Sequence, residues 1–570
     1  MKLPYSKSFR AKLTARDILY GLIVALPVLI FVFKFSILNR HGIFLGEDWG
    51  QFAQTYEAAR QSILRYHQFP WWNPWMNGGQ PLFANPQFGL FSIQMLLVLV
   101  FGTVSGLHYS MLVYFMAGFL GIYRLLQRLG SDNRLMTVLL SYIWIFSTFT
   151  TWHLGGGHLT FSIYLIAPWA LLTILNIRRR RGWLWFGLVI SFMILSAAHY
   201  LTIETMVICG VVAFTQIIRI LYKSHPKDLM AYWPILKPYA FAVLLILILC
   251  GMRLFYTFQF IHEYPRLEAL DAPESLRLFI TSVTFRRPID PLMFKGNYGW
   301  VEYADYFGII TIVLFSYLLL KRLENIKSLT LKDWFTIGGV FLGVAITVGS
   351  FVSFSPYSLL HHLPIFNQMR VPSRFICWVV LAIIIFLIKL PKKPLIFILL
   401  TLSAIDVFAA SYPIINYDQK PYVQEVSMSR EFQQYEFYQT TPDLGQIGIL
   451  NIQNFRLLRA TQQNSGEVYG YEPILNIGEY YYLPGTTRCG INKGCSFVLT
   501  HNAKVTYWSP HKITLYRTEQ GPIKLNMNPG KVWKINGANP FANYRILELN
   551  KDFLITDPNQ NIDIEYSAKL

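Results

Sequence analysis

Acidic residues are scarce in this chain. Asp and Glu number 31 among 570 residues, and charged residues of both signs make up 14%, against about 25% in an ordinary soluble protein. Several apolar runs of 17 to 23 residues hold almost no acid. Runs of that length and character exclude a conventional soluble enzyme and match what a helix needs to cross about 30 Å of hydrocarbon. Nucleotide-binding patterns are also missing: there is no Walker loop, no Rossmann glycine pattern, no kinase signature and no nucleophile elbow, so the substrate is expected to arrive in the membrane rather than as a soluble nucleotide. No cleavable signal is expected, because the first apolar run is too long and lacks a small-residue cleavage site.

What the chain does have is 53% apolar and 16% aromatic residues with a net charge of +19. The excess of Lys and Arg would suit nucleic acid, but these residues sit in short connections between apolar runs, where they set orientation in a bilayer. A polytopic α-helical membrane protein is therefore expected, with no nucleic-acid partner.

Charge sets the topology. The N-terminal "MKLPYSKSFRAKLTAR" holds five basic residues and no acid, which places the N-terminus in the cytoplasm. Crossings are expected near 17–38, 107–129, 134–150, 160–177, 183–200, 201–221, 232–255, 304–321, 335–352, 373–390 and 394–412, about eleven in all. The run 88–104 is expected to be interfacial or re-entrant, because counting it as a crossing turns every later basic connection outward. With that choice the connections at 178–181, 219–228, 321–333 and 389–393 all face inward. An odd number of crossings puts the C-terminus outside.

Two domains follow. Residues 1–412 form the membrane domain, with a long first external loop at 39–106, and 413–570 form an extracytoplasmic domain of mixed, β-rich character. Short alternating segments such as "KVTYWS", "KITLYR", "IKLNMN" and "YRILELN" predict a small β-sandwich in its C-terminal part. Cys209, Cys250 and Cys377 fall in or at the ends of apolar runs, whereas Cys489 and Cys495 in "RCGINKGC" are expected to close a disulfide hairpin outside the cytoplasm.

Chemistry collects on the outer face. In "LGEDWGQF", Glu47 and Asp48 stand before an amphipathic stretch at 50–67. Such acids either cap the helix or, for Asp48, serve as a general base. Arg370 and Arg374 in "MRVPSRF" either snorkel toward headgroups or bind a lipid phosphate. His153 and His158 flank "LGGG", which leaves room for a substrate; His158 is a candidate for positioning or contacting phosphate. The spacing of the two matches no zinc signature, so no cofactor is expected and a divalent metal has no support from the sequence. His199 and Glu204 suit a helix-packing pair or a pocket. Glu302 and Asp305 suit helix capping or a pocket, and Trp71 and Trp72 in "FPWWNPW" suit an interfacial belt or a platform that stacks on sugar.

Several of these segments occur together in a known order. "EDWGQFAQTYEAARQSILRYHQFPWWNPWMNGGQPLFANPQFGLFSI" is similar to the first external loop of YfhO-like bacterial membrane proteins. "GGGHLTFSIYLIAPWALL", "LPIFNQMRVPSRF", "AIDVFAAS" around Asp406, "YGYEPI" and "NPGKVWKINGANP" resemble further elements of that family. The resemblance implies a GT-C glycosyltransferase of the plasma membrane. Such an enzyme moves a sugar from a polyprenyl-phosphate donor to a cell-envelope glycan or protein acceptor on the outer face, with inversion. It implies Asp48 as the general base with Glu47 as its nearest rival, and Arg370 and Arg374 on the lipid phosphate. The alternative is a lipid-carrier transporter or an envelope-assembly scaffold without chemistry.

Overall fold

The computed structural model describes residues 15–34, 48–76, 79–196, 200–224, 232–263, 275–287, 299–363 except 325, 327 and 328, 366–369, 371–417, 438–440, 458, 461–462, 465–467, 500, 502–525, 527, 532–540 and 553–567. Helices dominate. In chain order they are α1 (Ala15–Val32), α2 (Trp49–Leu64), α3 (Ile93–Phe101), α4 (Thr103–Leu129), α5 (Arg134–Ile145), α6 (Thr148–Gly155), α7 (Ala167–Ile174), α8 (Gly182–Leu195), α9 (Tyr200–Ser224), α10 (Trp233–Glu263), α11 (Leu276–Thr284), α12 (Ile309–Leu323), α13 (Leu331–Thr347), α14 (Pro356–His361), α15 (Ile376–Leu387) and α16 (Pro394–Tyr417).

Five helical segments are long and apolar enough to cross a membrane: Thr103–Leu129, Arg134–Gly155, Tyr200–Tyr222, Trp233–Glu263 and Pro394–Ile415. Shorter apolar helices occupy other expected crossings. One of these, at 159–174, changes conformation along its length: Leu159–Ile166 is a 3-10 helix leading into α7. The greater 3-10 rise lets those sixteen residues reach roughly 28 Å. By contrast α3, within the stretch 88–104, has nine residues and reaches only roughly 14 Å. It folds back on α4 through Gly102, whose φ is +82°. The two backbones touch there, since a Cβ on Gly106 would lie 2.5 Å from the Cα and N of Val98.

Some polar side chains inside the helical region pair with one another, which offsets the cost of an apolar surrounding. The Trp144 indole donates to Tyr164 Oη at 2.6 Å, and Tyr164 Oη donates to the Cys377 carbonyl at 2.6 Å. The connections segregate into two groups. Lys389 pairs with Asp333, Lys392 with Asp132, and Arg128 Nε donates to Asn176 Oδ1 at 2.9 Å, so connections read from sequence as inward-facing contact one another. The segments read as outward-facing meet in a second group, described below.

The C-terminal part contains strands. Lys512–Arg517 (β6) pairs antiparallel with Ala503–Ser509 (β5) and with Asn561–Tyr566 (β10), which also pairs with Trp533–Ile535 (β8). Ile523–Leu525 (β7) and Phe553–Ile555 (β9) form a separate two-stranded sheet, and Phe553 packs edge-on against Trp533 with ring centroids 6.3 Å apart. Two further short pairs are Trp72–Asn73 (β1) with Gln80–Pro81 (β2), and Tyr438–Thr440 (β3) with Ser465–Glu467 (β4). "YRILELN" lies outside the described residues.

This strand-containing part sits on the first loop. Trp72 meets the Trp533 and Tyr566 rings at 5.6 and 5.8 Å, Trp75 meets Trp508 at 5.9 Å, and Gln68 Nε2 donates to Ser509 Oγ at 3.1 Å. Gln54 Nε2 of α2 reaches Thr461 Oγ1 at 3.0 Å. Aromatic side chains bury large areas and favour such edge-on contacts.

Candidate functional site

Asp48 stands at the N-cap position of α2, yet its side chain makes no capping hydrogen bond. Ser92, Asn133, Ser275 and Thr330 do cap their helices, each accepting from a backbone N–H. Capping is therefore not what holds the Asp48 carboxylate. The helix start is held from outside: Asp48 N donates to Gly156 O at 3.0 Å and the Trp49 indole donates to Gly155 O at 3.2 Å. Gly157 makes this approach possible. Its φ is +85°, and a Cβ there would lie 2.3 Å from Trp49 N and 2.8 Å from the Asp48 carbonyl carbon. The glycine run thus admits the backbone of the first loop itself.

The carboxylate faces the histidines. Asp48 Oδ2 lies 3.3 Å from His158 Nε2, and both side chains keep some exposure, 20% and 16%. His158 Nδ1 meets His153 Nδ1 at 2.7 Å. His153 is 1% exposed, stacks on Phe161 at 4.1 Å, and turns its Nε2 toward Glu302 Oε2 at 3.9 Å. Arg374 closes the series: Nε donates to Glu302 Oε2 at 2.8 Å and Nη2 donates to Oε1 at 2.5 Å. Its guanidinium lies over the Phe161 and Tyr200 rings at 5.0 and 4.9 Å. A fork on a carboxylate, flanked by two aromatic faces, fixes the arginine closely.

The electrostatics follow from these contacts. Burial alone lowers the His158 pKa, but the hydrogen bond and charge of Asp48 outweigh it and raise the imidazole above its ordinary value. Burial alone raises Glu302, but the Arg374 charge and hydrogen bonds hold its carboxyl well below the usual carboxylate range. A charged His158 donates from both nitrogens, to Asp48 and to His153 Nδ1. That assignment leaves His153 neutral, with an N–H turned toward Glu302.

The remaining candidates fall elsewhere or outside the description. Glu47, His199, Arg370, Cys489 and Cys495 lie outside the described residues. Glu302 and Asp305 do not cap the following helix: α12 starts at Ile309 with Gly308 as its N-cap. Asp305 is buried between Ala304 and Tyr306, whose carbonyls accept the Thr148 hydroxyl at 2.8 and 3.1 Å. Glu204 accepts from the Trp378 indole at 2.6 Å, a polar pair between α9 and α15. Trp71 packs edge-on against Phe83 and Tyr256 at 5.2 and 5.1 Å. Trp72, 2% exposed, is committed to the C-terminal strands, so it is not an open platform for sugar.

Arg253, and the partners of Asp406, were not assigned from the sequence. Arg253 of α10 is 4% exposed and donates Nη2 to the Asn85 and Phe88 carbonyls at 2.6 Å each, tying "ANPQF" to the helix. Its signal was a lone charge within a long apolar run. Asp406, central to "AIDVFAAS", accepts from Arg286 and Tyr306. Beside that trio, Arg286, Arg287, Phe285, Ala409, Ala410 and Pro413 line part of a cleft of about 520 Å³. Acid and base there are more than a hundred residues apart, so no local pattern joins them. No protein-family model matches the chain, and none of the curated proteins matches it.

Proposed function

We propose that the protein is a membrane glycosyltransferase of the GT-C type. It moves a sugar from a polyprenyl-phosphate donor to a hydroxyl of a cell-envelope acceptor. The observation that carries the reading is the Asp48 carboxylate. It is released from capping, partly exposed, and held 3.3 Å from His158 among side chains from three distant segments. Three of the segments that resemble a YfhO-like pattern supply Asp48, His158 and Arg374, which supports the reading. Five helices of membrane-crossing length and composition agree with a lipid-borne donor.

In this reading Asp48 takes the proton of the acceptor hydroxyl as that oxygen attacks the anomeric carbon. The bond from the anomeric carbon to the phosphate oxygen breaks on the opposite face, and the lipid phosphate leaves with the electron pair. Positive groups stabilise the charge that develops there. Arg374, positioned by Glu302, supplies one of them, while His158, whose two nitrogens face Asp48 and His153, holds the base in place. The eleven-crossing topology, with the Asp48 group and the C-terminal strands on the outer face, belongs to the same proposal.

The test is Asp48→Asn in cells that depend on the gene, with envelope glycans and lipid-linked sugars followed by mass spectrometry. Loss of the glycan with accumulation of the lipid-linked sugar, at unchanged protein level, is expected. Retained transfer would overturn the assignment and favour a transporter or scaffold.

A further inference from the structure

Two ring nitrogens in this site approach too closely for both to carry bare lone pairs. His153 Nδ1 and His158 Nδ1 are 2.7 Å apart, on rings tilted by 34° with centroids 5.0 Å apart. Something positive belongs between or beside them, either a proton or a metal ion. The second nitrogen of His153 faces the third potential ligand. Nε2 is buried without a hydrogen-bond partner among the described residues, 3.9 Å from Glu302 Oε2. One ligand atom from each of His153, His158 and Glu302 falls within 4.8 Å of the others.

We propose that His153, His158 and Glu302 bind a divalent transition-metal ion, with Asp48 orienting His158 from behind. Two imidazoles and one carboxylate form a borderline donor set, suited to zinc and its neighbours more than to magnesium or calcium, which prefer oxygen alone. Three protein ligands leave a further position for water or substrate.

The supporting shell is already in place. A metal-bound histidine ordinarily donates its other N–H to a carboxylate, which fixes its tautomer. His158 Nε2 has Asp48 Oδ2 at 3.3 Å for that role. Glu302 is held by two Arg374 hydrogen bonds at 2.8 and 2.5 Å. Phe161 stacks on the His153 ring at 4.1 Å and Phe149 meets it edge-on at 4.7 Å, so its orientation is set before any ion enters.

One distance has to change. Tetrahedral ligands at zinc–nitrogen distances stand about 3.3 Å from each other, so the two Nδ1 atoms must separate by about 0.6 Å. His158 is on the less buried side, 16% exposed, and supplies that movement. The Arg374 charge opposes a dication, but the two carboxylates against one guanidinium leave the site one negative charge with both imidazoles neutral.

The site shares Asp48, His158, Glu302 and Arg374 with the proposed transfer centre, but its test reads metal content and so stands or falls without any sugar transfer. Full-length protein in detergent is stripped with chelator, exposed to zinc, desalted and assayed by mass spectrometry for metal per chain. About one equivalent in the native protein is expected. His153→Ala and His158→Ala should each lower retained zinc at least about tenfold, and Asp48→Asn should weaken zinc binding about tenfold. His362→Ala, outside the group, should retain zinc like the native protein. Cobalt supplies a second measurement: the native protein should show the visible absorption of a tetrahedral site, and His158→Gln, verified as monodisperse, should not. Absence of retained zinc in the native protein, or retention in the His153 and His158 variants equal to the native protein's, would overturn the proposal.

Discussion

Asp48 Oδ2 and His158 Nε2 lie 3.3 Å apart, across the start of a helix that Asp48 heads but does not cap. The two residues come from different connections between apolar segments. Their contact depends on the backbone of residues 155–157 pressing against Asp48 and Trp49. Much of what can be tested about the site follows from that approach.

Gly157→Ala should separate the two segments. The new Cβ meets Trp49 N at 2.3 Å in a residue with φ +85°, and left-handed backbone alone costs a non-glycine residue about 1–2 kcal/mol. Thermal unfolding should show a loss of at least about 2 kcal/mol. Sugar transfer should fall by about a hundredfold, because a displacement near 1 Å at a reacting group has that effect. A variant with native stability and activity would contradict the contact.

Glu302→Gln should leave the Arg374 charge without its forked partner. Removing one member of a buried pair costs about 3–5 kcal/mol, and Glu302 is 7% exposed. The double variant Glu302→Gln/Arg374→Met should be less damaged than the two single losses added together, by at least about 1 kcal/mol. Additive losses in denaturation would show that the pair is not coupled.

Trp72→Leu and Trp533→Leu should each loosen the C-terminal strands from the first loop. Their edge-on contact at 5.6 Å predicts a coupling of about 0.5–1.5 kcal/mol in a double-variant cycle. Protease cleavage after residue 500 should also become faster in each single variant. A cycle with zero coupling would separate the two rings energetically.

Acid should weaken the β-strand region through His511. Burial pushes its pKa down to about 4, and its ring stacks on Tyr566 at 5.2 Å. The neutral form is the one that folds, so the contribution is full above the unfolded value near 6.5 and is lost as pH falls from there toward about 4. The loss is at most about 3 kcal/mol. Tryptophan fluorescence of the unfolding transition at several pH values should show it, and His511→Phe should flatten the dependence over that window. An unchanged slope in His511→Phe would assign the acid sensitivity elsewhere.

Composition and charge pattern were enough to anticipate long apolar helices, strands after residue 500, and two separate groups of connections. These are properties of many residues at once, and each local segment carries its own signal: apolar length, alternation or a cluster of basic residues. The stretch 88–104 was set apart from the crossings by charge parity, and the structure gives it a nine-residue helix folded back on α4. Asp48, His153, His158, Glu302 and Arg374 were also nominated individually, each with a local explanation that competed with chemistry. For Asp48 and Glu302 the local explanation was capping, and it failed because side-chain geometry at a helix start depends on what approaches from elsewhere.

Tertiary structure decided which nominees belong together. It tied Trp72 into the C-terminal strands, gave Glu204 to Trp378, and used Arg253 to hold the first loop against α10. It also brought Glu302 and Arg374 to the two histidines, so that a histidine spacing that matches no metal signature gained a carboxylate within 4.8 Å. The physical reason is range. Helix length, orientation and strand alternation are written in neighbouring residues, whereas a buried charge takes whatever partner the packed helices deliver to it, and that delivery is fixed only when the whole bundle closes.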